Sequence, residues 1–241
     1  MSVALLFFSF IGNTINLIHD MATMYETIMD LPLFKGVGKD HVSQFLEKTP
    51  IMFCNYRDGE IISTPGEEVK MIKFIISGEV KICNTLESLD LTVVERSGSG
   101  RVLGADRLFG ISTGYPFKII AAGNTSIMQF KKEQYMNLLY SDRIYMLNFF
   151  NYLSLRAQRP TEAVSIFAEG DITGILRRMV AILTDPVAKE VSIEGTVGDL
   201  ARYCGVDVDK LRNWITLIEG SGMVKREPGR LIIHSREKFL E

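Results

Sequence analysis

TVGDLARYCGVDVDKLRNWITLIEGSGMVKREPGRLII, residues 196–233, decides how the rest of the chain is read. Leu200 and Ala201 share one face of a short helical segment, and the small Ala leaves room for a second helix to cross closely. Gly205 follows where a chain turning sharply between helices favours a positive φ. Asp207 is placed to cap the next helix through its carboxylate. Leu211, Trp214, Ile215 and Ile218 then recur at three- and four-residue steps, the mark of one buried helix face. The opposite face carries Val208, Asp209, Arg212, Asn213 and Thr216, with Lys210 at its border. Gly222 closes the helix, and Met223–Glu227 and Arg230–Ile233 are expected to pair around Pro228-Gly229. Helix, turn, helix and wing is the arrangement that seats a helix in the major groove of DNA.

The remainder sets limits on that reading. A length of 241 residues allows one or two domains with a sizeable core. The net charge of −2 is not that of a histone-like basic protein. Residues 171–241 hold 11 Lys/Arg against 11 Asp/Glu, so phosphate attraction must come from local clustering, as at Lys225, Arg226 and Arg230. Cys54, Cys83 and Cys204 are scattered without a CxxC pair, which argues against a disulfide framework or zinc site and suits a reducing cytoplasm. Residues 1–23 are apolar but interrupted by Ser9, Gly12, Asn13, Thr14 and Asn16. Val3–Ile11 falls short of the ~20 residues a membrane span requires, and no membrane association is expected. Three readings stay open there: a start at Met21 or Met24, a short packing helix, or a signal or anchor.

From Tyr25 to Leu46 the chain reads as two helical pieces broken by Leu31-Pro32 and Gly36–Gly38. Short β-prone runs follow at Ile51–Tyr56, Glu60–Ser63, Met71–Ser77, Glu79–Asn84 and Leu91–Glu95, separated by glycine turns. Phe117–Ala122 and Ser126–Phe130 are expected to close an antiparallel barrel or jelly roll. The run YRDGEIISTPGE (56–67), followed by KFIISGEVKI (73–82), resembles the β-roll of the Crp–Fnr transcription regulators. The resemblance covers roughly Tyr25–Glu241 and implies an α+β fold: an N-terminal double-stranded β-helix or jelly roll of cyclic-nucleotide-binding type, a long dimerisation helix and a C-terminal winged helix-turn-helix.

Members of that family that bind cyclic nucleotides use a Gly-Glu pair and a downstream Arg-Ser/Thr-Ala. Here RVLGADRLFG (101–110) and YPFKIIAA (115–122) keep Gly104 but place Ala105 at the Glu position and Pro116 at that of the phosphate-binding Arg. A buried phosphate without a cation or sufficient donors is costly. Arg101, Arg107 and Lys118 are the cations near enough to substitute. The effector pocket is assigned to Gly104, Ala105, Asp106, Arg107, Pro116, Phe117 and Lys118, empty or shaped for a small molecule other than a cyclic nucleotide. The N-terminal cysteine cluster of oxygen-sensing members is missing, and His19, His41 and His234 lie outside the strands. That scarcity of His also argues against a metal-dependent cupin. No catalytic arrangement, metal site or cofactor is read.

Lys131–Tyr140 reads as a short helix and Ser141-Asp142 as a cap. Met146, Phe150, Leu153, Ala157, Pro160, Val164 and Phe167 then follow alternating four- and three-residue steps, the spacing of a helix-pair seam. Pro160 is expected to kink or divide this helix; Glu169-Gly170 reads as a hinge, and Ile172–Leu183 as the first helix of the reader. The organisation is therefore 1–23 extension, 24–140 roll, 141–169 dimerisation helix and hinge, 170–241 reader. Candidate DNA contacts are Thr196 to phosphate, Val208, Asp209, Lys210, Arg212, Asn213 and Thr216 on the helix, and Arg226 and Arg230 on the wing. The expectation is a cytoplasmic, homodimeric, non-enzymatic regulator that binds double-stranded DNA. The resemblance implies RNA polymerase as a further partner and a small-molecule effector. A ligand- or protein-docking module with a degenerate reader is the alternative, supported by the acidic Asp207 and Asp209.

Overall fold

The computed structural model describes residues 25–166 and 171–241. The readings of residues 1–23, the seam position Phe167 and the Glu169-Gly170 hinge lie outside the described residues. After a helix at Lys39–Lys48 come eight strands: β1 (Met52–Tyr56), β2 (Ile61–Ser63), β3 (Met71–Ser77), β4 (Glu79–Leu86), β5 (Leu91–Gly98), β6 (Val102–Leu103), β7 (Lys118–Ala121) and β8 (Thr125–Lys131). They form an open jelly roll rather than a closed barrel. One sheet has the order β1-β8-β3-β6, and β2, β7, β4 and β5 lie together in a second. Alternating apolar positions such as Ile72, Phe74, Val80 and Ile82 point into the space between the sheets. Phe34, Phe45, Phe74 and Phe130 pack there at ring-centroid separations of 5.1–5.7 Å.

A bridging helix, Lys132–Ser141, leads into a long helix, Arg143–Ile166. Pro160 does not divide it. Proline removes one backbone bond, but Ala163, a turn further on, is buried and the helix continues to Ile166. The C-terminal domain comprises a packing helix (Ile172–Leu183), β9 (Glu190–Glu194), a helix pair (Val197–Cys204 and Val208–Gly220), the β10–β11 hairpin (Val224–Glu227, Arg230–Ile233) and a last helix, Arg236–Leu240.

Three features depart from the sequence expectation. β4 and β5 run on to Leu86 and Gly98, because β5 has a hydrogen-bonded neighbour on each side. β9 was not anticipated. It joins β11 on one edge and β5 on the other, so roll and wing form one seven-stranded sheet, β10-β11-β9-β5-β4-β7-β2. Leu91 and Val93, read as roll residues, accordingly lie in the core of the C-terminal domain with Leu176, Ile193, Leu200, Leu211 and Ile215.

Candidate functional site

The helix pair is built by local chemistry. Thr196 caps the first helix, its Oγ1 accepting from the Asp199 amide at 3.1 Å, while the Asp199 carboxylate accepts from the Thr196 amide at 3.1 Å. Gly205 takes φ +65° at the turn, and Asp207 Oδ1 accepts from the Lys210 amide at 2.7 Å. Leu211, Ile215 and Ile218 anchor the second helix in the core. Trp214, half-buried, donates from Nε1 to Thr173 Oγ1 at 2.9 Å and so ties the helix to the packing helix.

That anchoring turns Asp209, Lys210, Arg212, Asn213 and Thr216 outward. Val208 departs from its expected place: in the first turn it is half-buried against the domain core. Arg212 pairs with Asp209 at 2.9 Å, and Thr216 Oγ1 donates to the Arg212 carbonyl at 3.0 Å. On the wing Arg226 and Arg230 are exposed, with Glu227 between them in the chain. Glu227 accepts from Lys225 at 2.8 Å and from Arg230 Nε at 2.9 Å, and these bonds hold its carboxyl at about 2. The outward face is therefore a lattice of mixed charge rather than an unbroken basic strip.

The second candidate region lies under the long helix. Gly104 sits at φ +79°, where a Cβ would come within 2.8 Å of Val69 and 3.0 Å of the Tyr115 hydroxyl, and Ala105 is fully buried. Neither lines the nearby cavity, and nor does Lys118, which pairs with Cys83 across β7 and β4. Arg107, Pro116 and Phe117 do line it, facing Arg156 and Arg159 of the long helix across about 250 Å³.

The far wall is Asp185, from the turn after the packing helix, and around it is a buried ionic cluster that the sequence did not disclose. Asp185 Oδ2 is paired with Arg101, with Arg156 at 2.9 Å and with Arg159 at 3.0 Å. Glu95 accepts from Arg101 at 3.0 Å and from the Asp185 amide at 2.5 Å. Burial raises the Glu95 carboxyl, only partly offset by Arg101. Burial would raise Asp185 too, but Arg101, Arg159 and Arg156 together with the Val187 amide outweigh it and bring it down to about 2. Asp106 Oδ2 lies 3.3 Å from Arg156 and 3.6 Å from Arg107. Arg236 donates to Thr184 Oγ1 at 2.8 Å. Lone arginines just before β6 and on a helix carry no local signature of such a cluster, since Asp185, the carboxylate they share, lies tens of residues from each.

The third region is the outer side of the long helix. Phe150 and Val164 are 53% and 54% exposed, Met146 is 36% exposed, and Ala157 is exposed. Leu153 departs from the expected seam and packs on the roll core instead, as do Tyr145, Phe149 and Tyr152. Among the described residues no group of three His, Cys, Asp or Glu could hold a metal ion, and no helix is long and apolar enough to cross a membrane.

Residues 53–142 match the cyclic nucleotide-binding domain family. The chain is also similar to two solved regulators across most of its length. One is the catabolite activator protein of Thermus thermophilus, at 17% identity and a TM-score of 0.50, covering 87% of this chain and 98% of that one. The other is the c-di-GMP-responsive global regulator CLP of Xanthomonas campestris, at 20% identity and 0.52, covering 82% and 100%. Curated protein sequences gave no significant match. The fold is that of the Crp–Fnr transcription regulators: a cyclic nucleotide-binding-like domain followed by a helical region.

Proposed function

We propose that the chain is a homodimeric, sequence-specific DNA-binding transcription regulator that works without a cyclic nucleotide. The observation that carries this reading is the second helix of the C-terminal pair: core residues Leu211, Ile215 and Ile218 lock it, while Asp209, Lys210, Arg212, Asn213 and Thr216 face outward. Arg212 suits a guanine edge and Asn213 an adenine edge, with Thr196, Arg226 and Arg230 beside the phosphates. Two readers on a two-fold axis address half-sites one helical turn, or a multiple, apart. Exposed Met146, Phe150, Ala157 and Val164 supply the seam that brings them together. Cyclic nucleotide is disfavoured because Ala105 and Pro116 stand where the ribose-binding Glu and the phosphate-binding Arg are needed. Cytoplasmic placement and contact with RNA polymerase belong to the same proposal.

Selection from random duplex DNA at several salt concentrations tests it. Enrichment of a two-fold symmetric motif whose binding weakens steeply with salt is the expected result. Salt-insensitive or motif-free binding would favour a docking module with a degenerate reader, the reading supported by the Asp209–Arg212 and Glu227–Arg230 pairs on the outward face.

A further inference from the structure

The junction between the roll and the C-terminal domain gathers more positive charge than it neutralises. Five guanidinium groups, of Arg101, Arg107, Arg156, Arg159 and Arg236, meet three carboxylates, of Glu95, Asp106 and Asp185. Arg101 is 6% exposed, and the buried Nε atoms of Arg101 and Arg107 have no hydrogen-bond acceptor among the described residues, the Asp106 carboxylate standing 3.6 Å from Arg107 Nε. Both residues line the 250 Å³ cavity beside Asp185. Guanidinium groups bind carboxylates and phosphoryl groups through the same planar geometry.

We propose that this junction is a binding site for a small dianion, a phosphoryl group or a dicarboxylate, and that Asp185 is the chain's own occupant of it. A single oxygen of Asp185 takes all three arginine contacts, while among the described residues Oδ1 accepts only from the Val187 amide at 3.2 Å. A dianion offers more acceptor atoms and twice the charge to the same guanidinium groups. The cavity lies below the ~300–1,000 Å³ of pockets for drug-sized ligands, which limits the occupant to a small one. Arg156 and Arg159 are 23% and 27% exposed, so the ligand reaches them from the long-helix side.

Occupancy has a mechanical consequence. The Asp185 amide is bonded to Glu95, the Lys189 amide to the Arg96 carbonyl at 3.0 Å, and the β5–β9 ladder begins immediately beyond at Arg96–Glu190. A ligand that takes the arginines from Asp185 therefore loosens the end of the ladder that docks the reader on the roll, and by linkage the docked reader weakens the ligand. This consequence for DNA rests on the function proposed above; the site itself does not.

The test uses the full chain and no DNA, so its failure is separate from failure of the regulator reading. Inorganic phosphate and succinate are titrated calorimetrically at pH 7.5 and fixed ionic strength, with chloride as the control, and amide exchange of residues 91–98 and 190–194 is followed at saturation. Saturable binding of at least one dianion is expected, on the order of tenfold tighter in Asp185→Asn and tenfold weaker in Arg159→Gln. Exchange of the 190–194 amides should accelerate on binding. Phosphate alone identifies a phosphoryl ligand, and succinate alone a dicarboxylate. The proposal is overturned if neither binds saturably, if Arg159→Gln leaves binding unchanged, or if ladder protection does not move. Should Asp185→Asn fail to fold, Arg159→Gln at a partly exposed position still decides the matter.

Discussion

Val93 and Ile193 stand opposite each other in the ladder that joins the roll to the C-terminal domain, one at 0% and the other at 2% exposure. Each strand thus completes the other domain's sheet, and Val93 fills, together with Leu91, a core whose other buried members lie beyond residue 171. Cutting Ile193 back to Ala leaves a cavity at this shared boundary and should cost about 2–5 kcal/mol. Both domains should lose stability together. Urea unfolding followed by the fluorescence of the single Trp, Trp214, and by far-UV circular dichroism should give coincident transitions shifted by the same amount.

Gly78 explains why the turn between β3 and β4 needs glycine on two grounds. It has φ +81°, and a Cβ there would meet the Asn124 carbonyl oxygen at 2.3 Å and Thr125 Cα at 2.8 Å, both backbone. Gly59 has nearly the same φ, +80°, with open space around it. Gly59→Ala should cost about 1–2 kcal/mol, the left-handed penalty alone, and Gly78→Ala clearly more. Equal losses in thermal or urea melts would show that the contact with Asn124 yields without cost.

Acid should act on the junction through Asp185. Its carboxyl is held at about 2, below the ordinary 3.8, so between those values the unfolded chain binds more protons than the folded one. The stability it supplies is present above pH ~4 and lost as pH falls toward 2, about 2 kcal/mol in all. Glu95, raised by burial, acts in the opposite sense, since its protonation favours the folded chain. In Asp185→Asn the acid-labile part should vanish. The gap in urea midpoint between wild type and variant should therefore be widest near neutrality and narrow below pH 4.

The two domains were legible for different reasons, and so were the omissions. Capping by Asp207, the turn at Gly205 and the Leu211–Ile218 periodicity are local, so the helix pair could be read from adjacent residues. The glycine turns that punctuate β1–β8 are local as well. β9 was missed because Glu190–Glu194 is short and its partner β5 lies about a hundred residues upstream. The same distance hid the assignment of Leu91 and Val93 to the far core. The pairing of Asp185 with Arg101, and with Arg156 and Arg159 only 29 and 26 residues before it, was hidden for another reason: ion pairs leave no periodicity. Leu153 and Val208 fit their helical stripes, but both are half-buried at the margin of their helix's covered face, and spacing alone does not say on which side of that margin a residue falls.

Phe150 is the most informative position on the long helix, being large, apolar and more than half exposed. A charge there should oppose burial in a helix pair while leaving the roll core, which Phe149 and Leu153 reach from the other side, undisturbed. Phe150→Glu is expected to run as a monomer in sedimentation equilibrium with an unchanged circular dichroism spectrum. Its affinity for a two-fold DNA site should fall on the order of 100-fold as the second reader is lost. A dimer that persists would place the seam elsewhere.

Asp209 separates two roles that its position allows. It is 85% exposed beside the candidate reading face, and it pairs with Arg212 at 2.9 Å. An exposed pair of this kind contributes about 0–1 kcal/mol to the fold, so Asp209→Ala should leave stability nearly unchanged. If Asp209 only restrains Arg212 and repels phosphate, the substitution should tighten DNA binding several-fold on every sequence and steepen its salt dependence. If it instead accepts from a cytosine amino group, binding to the selected motif should weaken by about 1–3 kcal/mol while binding to random duplex tightens. We expect the first pattern, because a carboxylate already bonded to Arg212 has less acceptor capacity left for a base. Fluorescence anisotropy on the selected motif and on a scrambled duplex, at two salt concentrations, distinguishes them.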